Sequence, residues 1–97
     1  MKNYKICVVG GGSWGSNHIR TLQSINVQTS CVETNDFKLK NLKKNHPNLN
    51  CYSSLENVVF EDYDGFVIAT PPSTHLNLAR DIINNKKPVL IEKPLAL

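Results

Sequence analysis

Short apolar runs alternate along the chain with segments whose apolar side chains recur at helical spacing. The apolar runs are residues 4–9, 27–33, 51–52, 66–69 and 88–91, and they predict five strands. Helical spacing predicts one helix over residues 14–25, a second from 36 to a stop at His46-Pro47, and a third whose apolar positions run from Leu76 to Ile83. A short helix is also predicted from Ser54 to Val58.

The helix ends are predicted from residues that satisfy free backbone groups. Asp36 is the candidate N-cap of the second helix, and Ser73 or Thr74 is the candidate for the third. Asn84-Asn85 is expected to end the third helix in a left-handed conformation, because asparagine tolerates positive φ.

Strands that alternate with helices imply right-handed crossovers and a parallel sheet that helices cover on both faces. The expected strand order is 3-2-1-4-5, a doubly wound α/β fold truncated after about five strands. The chain ends at Leu97, before a sixth strand. The run Val89-Leu90-Ile91 is therefore expected at an exposed sheet edge, where self-association could occur.

Composition excludes several classes of protein. The 97 residues suffice for one domain, and 40% hydrophobic with 20% charged residues argues against a disordered tail or a membrane protein. The net charge of +3 is too small to indicate nucleic-acid binding. There is no apolar run typical of a signal peptide or spanning helix, so a cytoplasmic protein is expected. Cys7, Cys31 and Cys51 form no C-x-x-C pair, which favours reduced thiols over a disulfide or metal site.

A glycine-rich motif lies between the first predicted strand and helix. Gly10, Gly12 and Gly15 match G-x-G-x-x-G. The first glycine permits a tight turn, the second lets the backbone approach a pyrophosphate, and the third lets helix and strand pack closely. Ser13 and Trp14 are candidate contacts in the same motif, and Trp14 either shields the pyrophosphate or packs against a neighbouring loop. The alternative is a glycine-rich turn without a ligand.

An acidic residue follows at the spacing that such a site requires. Glu33 ends the second predicted strand, 23 residues after Gly10, and is the candidate for binding the adenosine ribose hydroxyls. Its charge would repel a 2′-phosphate, and no arginine occurs in residues 34–36, so NAD is favoured over NADP. Lys38 is close enough in sequence to keep NADP as an alternative. Glu33 could instead be a solvated carboxylate at a strand end.

Two further segments follow the fourth and fifth strands. They lie beyond the carboxyl ends of the strands, where ligands of open parallel sheets bind. Thr70-Pro71 begins a loop with consecutive prolines that suits a rigid wall along a cofactor. Glu92-Lys93 follows the fifth strand. Lys93, as a neutral amine, could accept a substrate hydroxyl proton, and Glu92 could accept hydrogen bonds from ribose hydroxyls. A solvated ion pair is the alternative interpretation of these two residues.

Three segments together resemble one family. They are residues 8–15, 67–75 and 89–96, and they resemble glucose-fructose oxidoreductase, inositol dehydrogenase and related sugar dehydrogenases. The resemblance implies a Rossmann-like NAD-binding domain in which Lys93 acts at the substrate hydroxyl, Glu92 holds the nicotinamide ribose and the Thr70-Pro71 loop lines the cofactor. His75 matches a histidine of the family, and a local helix cap is its alternative role.

Family members continue into a larger C-terminal substrate domain that these 97 residues lack. The expectation is therefore that residues 1–97 are the NAD-binding part of an NAD(P)-dependent dehydrogenase acting on a secondary alcohol of a sugar or sugar nucleotide. The chain alone is expected to be inactive, because Lys93 would face solvent without a second wall. A non-catalytic NAD-binding module or a gene fragment is the alternative.

Overall fold

Strands and helices alternate along the chain in the computed structural model, which describes residues 4–91 apart from the side chains of Ser13, Trp14 and Pro72. In chain order the elements are β1 (Lys5–Val9), α1 (Ser13–Ser24), β2 (Gln28–Val32), α2 (Asp36–Asn45), β3 (Asn50–Tyr52), β4 (Gly65–Ile68), α3 (Pro72–Asn84) and β5 (Val89–Ile91). Short 3₁₀ turns at Leu55–Asn57 and Phe60–Asp62 connect β3 to β4, and the second of them was not predicted.

The described strands form one parallel sheet in the order β3-β2-β1-β4-β5. In the centre, Val8 of β1 pairs with Cys31 of β2 and Val67 of β4. This confirms the predicted order and direction. Because all these strands run parallel, their carboxyl ends meet at one edge of the sheet, which is where the glycine motif begins.

Each face of the sheet has its own apolar core, because successive strand residues point to opposite faces. Beneath α1 and α2 the buried side chains are Val8, Ile19, Cys31, Leu42, Leu49 and Val67. Beneath α3 they are Cys7, Val9, Val32, Val58, Tyr63, Phe66, Ile68, Ala79 and Ile82. Helices therefore cover both faces, as a doubly wound sheet requires.

The N-cap prediction for α2 is wrong by one residue. The side chain of Asn35, rather than Asp36, accepts a hydrogen bond from the Lys38 backbone N–H at 3.0 Å. Asp36 is the first helical residue, where its charge still complements the positive end of the helix. The predicted cap of the first 3₁₀ turn is confirmed, since the Ser54 side chain accepts from the Glu56 N–H.

Both predicted ends of α3 are also wrong, the start by two or three residues and the end by one or two. The helix begins at Pro72 with Pro71 as N-cap, so Ser73 and Thr74 lie inside its first turn. Proline is favoured there because its fixed φ suits a helix and its missing N–H costs nothing in the first turn. At the other end, the left-handed residue is Lys86 (φ 61), whereas Asn85 has a φ of −90.

The three cysteines are free thiols, as predicted, with Cys7 and Cys31 buried and Cys51 half-buried. Burial raises the pKa of Cys7 to about 12 and also raises the pKa of Cys31. Leu90 of β5, the last strand of the described sheet, is 57% exposed. Within residues 4–91, no helix has the length and apolar composition needed to cross a membrane.

Candidate functional site

The first glycine of the motif makes a turn that other residues could not make easily. Gly10 has a φ of 106, which L residues rarely adopt. Its N–H donates to the Val32 carbonyl at 2.7 Å, and a Cβ at this position would lie 2.9 Å from the carbonyl carbon of Ala69. The turn is thus held between the ends of β2 and β4.

The other two motif glycines differ in what surrounds them. A Cβ on Gly15 would overlap the Gly10 carbonyl oxygen, so the absence of a side chain lets α1 pack closely on the turn. Among the described residues, a Cβ on Gly12 would instead meet only Lys38 Nζ, at the ordinary contact distance of 3.9 Å. The packing of the described residues therefore requires Gly15 to be glycine, but it does not require this of Gly12.

Glu33 is buried and ties the glycine turn to the end of β2. Its Oε1 accepts from the Gly11 N–H at 2.7 Å, and its Oε2 accepts from the Asn35 N–H at 2.8 Å. The residue is 8% exposed, so it is not the solvated carboxylate of the alternative interpretation. Each carboxylate oxygen has a second lone pair, which leaves acceptor capacity for a ligand hydroxyl.

Gly11 has a structural role in the turn that the motif does not reveal, because the motif treats its position as variable. Besides donating to Glu33, it has no room for a side chain, since a Cβ would overlap Leu42 of α2. The run of three glycines in the sequence was the one signal that could have indicated this role. The close approach of α2 explains why the middle residue, Gly11, is glycine.

The loop after β4 is held rigid by its own hydroxyl groups. The Thr74 hydroxyl donates to the Pro71 carbonyl at 2.8 Å and lies 2.6 Å from the Thr70 hydroxyl. Because Thr74 has one hydroxyl hydrogen, Thr70 is the donor in the second contact. The predicted rigid wall is thus built from threonine hydrogen bonds as well as from consecutive prolines.

His75 supports this loop from behind. Its ring is 3% exposed, and Nε2 lies 2.6 Å from the Thr70 carbonyl oxygen, so Nε2–H is the donor. Nδ1 has no hydrogen-bond partner among the described residues. His75 does not line the crevice in front of the loop, and its recorded bond is to the loop backbone and is not a helix cap. Its direct contact with the cofactor stays a prediction.

A crevice of about 480 Å³ lies outside the carboxyl ends of β1, β2 and β4. Gly10, Glu33 and the Thr70-Pro71 segment line it, and Leu55 and Leu78 supply apolar walls. The volume is within the roughly 300–1,000 Å³ typical of small-molecule sites. The structure therefore brings together the glycine turn, the acidic residue and the loop after β4.

Four predicted contacts lie outside the described residues. They are the side chains of Ser13 and Trp14, and residues Glu92 and Lys93. β5 ends at Ile91, at the same sheet edge as the crevice, and Glu92 and Lys93 are the next residues in the sequence.

Comparison with known proteins identifies the family. Residues 4–97 match the model of an oxidoreductase family with an NAD-binding Rossmann fold, GFO_IDH_MocA. The chain belongs to this family. The resemblance inferred from the three sequence segments, the Rossmann-like fold and the expectation of an NAD-binding domain are thereby confirmed.

Individual relatives agree with this assignment. Inositol 2-dehydrogenase of Mycolicibacterium smegmatis is 30% identical over 99 residues, which cover 98% of this chain and 29% of the relative. An NAD-binding protein from Listeria innocua superposes with a TM-score of 0.84 at 29% identity, over 98% of this chain and 28% of the other. GenD2 from gentamicin A biosynthesis, solved in complex with NAD, gives 0.85 at 27% identity, over 100% and 28%. The chain spans less than a third of the length of these proteins.

Proposed function

We propose that this chain binds NAD in the crevice and is the cofactor-binding part of a dehydrogenase. The parent enzyme would transfer hydride between nicotinamide and a secondary alcohol of a sugar or sugar nucleotide. The observation that carries the proposal is the crevice in which the Gly10 turn, the buried Glu33 carboxylate and the Thr70-Pro71 segment meet, at the end of the sheet from which α1 begins.

The turn suits a pyrophosphate because its backbone is accessible and its electrostatics are favourable. Gly12 is the N-cap of α1 and has no side chain to satisfy the first N–H groups of that helix. These groups and the helix dipole attract an anion. A dinucleotide phosphate could approach the Gly12 backbone without meeting a Cβ.

The adenosine end suits the rest of the crevice. Glu33 is oriented by two backbone N–H groups, so its free lone pairs can accept hydrogen bonds from the ribose hydroxyls without a side-chain rearrangement. Leu55 and Leu78 offer apolar surface for an adenine ring. The residues present therefore fit the cofactor that the family description names.

The catalytic assignment is a proposal for the whole enzyme. Bound nicotinamide supplies the hydride acceptor or donor. In the proposed role, the neutral amine of Lys93 accepts the proton of the substrate hydroxyl, and Glu92 accepts hydrogen bonds from the nicotinamide ribose. The name of the M. smegmatis relative, inositol 2-dehydrogenase, supports a polyhydroxylated cyclic substrate. Because the chain covers 29% of that relative, turnover is proposed for the parent protein and not for the 97 residues alone.

Calorimetry with NAD tests cofactor binding by this chain. We expect one NAD per chain, and we expect Glu33→Gln to raise the Kd roughly tenfold or more, because a neutral amide accepts ribose hydrogen bonds less strongly than a carboxylate. Glu61→Gln is the matched control, since Glu61 is exposed and does not line the crevice. Circular dichroism confirms that each variant is folded. Absence of NAD binding by the folded wild-type chain would overturn the proposal.

The role of Lys93 is tested in the full-length enzyme. We expect Lys93→Ala to leave the Kd for NAD nearly unchanged and to lower kcat, because the amine is proposed to act on the substrate proton and not on the cofactor. Wild-type turnover in this variant would show that the proton goes elsewhere.

A further inference from the structure

Two of the three cysteines lie side by side in the sheet. Cys31 of β2 is paired with Cys51 of β3 in the parallel register. Paired residues of neighbouring strands point to the same face, and both side chains belong to the core beneath α1 and α2. Neighbouring strands lie about 4.8 Å apart, and a disulfide requires Cα atoms about 4.4–6.8 Å apart. The backbone spacing of this pair is therefore compatible with a disulfide.

The two thiols differ in their access to solvent. Cys31 is fully buried, whereas Cys51 is half-buried. Burial raises the pKa of both thiols, but for Cys51 the nearby Lys43 ammonium on α2 opposes this effect. Oxidants react with the thiolate, so access and acidity both favour Cys51 as the thiol that reacts first. Cys31 can then react only with a group that is already in the core.

The hydrogen bond of Cys51 does not prevent such a reaction. Its Sγ donates to the Leu49 carbonyl at 3.7 Å, and a thiol is a weak donor. A rotation of the side chain towards Cys31 would therefore cost little.

Cys7 provides an internal comparison. It is also fully buried, but its side chain belongs to the core beneath α3, on the opposite face of the sheet. Among the described residues, no other cysteine shares that face. Cys7 is therefore not expected to form a disulfide with either of the other two cysteines.

We propose that Cys31 and Cys51 are an oxidation-sensitive thiol pair, in which Cys51 reacts with hydrogen peroxide and Cys31 converts the product to a disulfide. In the first step, the Cys51 sulfur attacks a peroxide oxygen, the O–O bond breaks, and a sulfenic acid and one water form. In the second step, the Cys31 sulfur attacks the Cys51 sulfur. The hydroxyl group of the sulfenic acid leaves as a second water with the proton of the Cys31 thiol. Two thiols are thus oxidised to one disulfide while one peroxide is reduced to two waters.

The cross-link would protect Cys51 and attach β3 to the sheet. Without a second thiol, a sulfenic acid is oxidised further to a sulfinic acid, which thiol reductants do not restore. The disulfide would enclose α2 in a covalent loop of residues 31–51. It would lie next to the bond in which the Glu33 N–H donates to the Tyr52 carbonyl at 2.9 Å. The proposal does not depend on the proposed function, since it concerns only these thiols.

Peptide mapping of the peroxide-treated chain tests the proposal. The folded 97-residue chain is oxidised at pH 8, unfolded, alkylated at its remaining thiols and digested with trypsin. Trypsin leaves the three cysteines on separate peptides, residues 6–20, 21–38 and 45–80. We expect the second and third peptides to be joined by a bond that dithiothreitol breaks, with Cys7 still alkylated. Cys51→Ala should lose the cross-link, and Cys7→Ala, the matched control, should keep it.

The variant Cys31→Ala tests the role of the second thiol. It should lose the cross-link and accumulate the sulfinic acid of Cys51, which the wild type should form more slowly. Circular dichroism checks that each variant is folded, and the wild-type peptide map tests the pairing even where a variant does not fold. A disulfide that involves Cys7, a cross-link between two chains, an unreacted Cys51, or equal rates of sulfinic acid formation with and without Cys31 would overturn the proposal.

Discussion

Replacing Gly12 by alanine separates the requirements of folding from those of binding. Gly12 has extended backbone angles (φ −75, ψ −159) that any residue can adopt, and among the described residues the added methyl group meets only Lys38 Nζ, at 3.9 Å. Alanine is a poorer N-cap than glycine, but it also restricts the unfolded chain, and each effect is worth up to about 1 kcal/mol. We therefore expect the free energy of unfolding to change by less than about 1 kcal/mol.

The expected effect on binding is much larger. The methyl group would occupy the space through which a pyrophosphate approaches the backbone, and it would lengthen or break a hydrogen bond between an N–H group of the turn and a phosphate oxygen. Loss of one hydrogen bond to a charged group costs about 1.5–3 kcal/mol, which corresponds to a roughly 10- to 150-fold higher Kd. Gly12→Val should have a larger effect, because its branched side chain fills more of the space.

The assay combines urea denaturation with calorimetric titration of NAD for wild type and Gly12→Ala. We expect nearly equal unfolding midpoints and a Kd for NAD at least roughly tenfold higher in the variant. A folded Gly12→Ala protein with wild-type affinity would refute the reasoning, because it would show that the cofactor does not approach the open side of this glycine.

Three further predictions concern stability and reactivity. Gly15→Ala should destabilise the fold by at least about 3 kcal/mol in urea denaturation, since its Cβ overlaps the Gly10 carbonyl oxygen, and a wild-type midpoint would contradict this packing. Ile68→Ala, in the core beneath α3, should cost about 2–5 kcal/mol by the same measurement, and a loss below about 1 kcal/mol would contradict full burial. Iodoacetamide at pH 8 should label half-buried Cys51 before buried Cys7, because the Cys7 pKa of about 12 keeps that thiol protonated until the chain unfolds. Mass spectrometry measures the two labelling rates, and equal rates would contradict this prediction.

The sheet could be predicted from the sequence because each strand is an apolar run with its own turn residues. The apolar run at residues 66–69 predicts a buried strand, and the observed strand β4 is buried at all of its positions. Helix ends were less predictable, because neighbouring residues compete as caps. Asn35 and Asp36 are both good N-cap residues, and the path of the chain after β2 decides between them.

The site could be predicted in outline, but its internal bonds could not. Spacing indicated Glu33 as the acidic residue of the site, yet its bond to the Gly11 N–H joins residues 22 positions apart that only the folded sheet brings together. The burial of His75 behind Thr70 likewise depends on how α3 packs on the sheet. Local sequence patterns carry no information on long-range contacts such as the bond between Glu33 and Gly11.

The central claim, that NAD binds at the carboxyl ends of the strands, is tested most directly by amide chemical shifts of the labelled chain during titration with NAD. We expect the largest chemical-shift changes at Gly10, Gly11 and Gly12, with further changes at Asn35 and Thr70. Lys5 and Asp64, at the opposite edge of the sheet where the central strands begin, should change little. Shifts confined to that opposite edge, or a spectrum of the folded chain that NAD leaves unchanged, would contradict the claim.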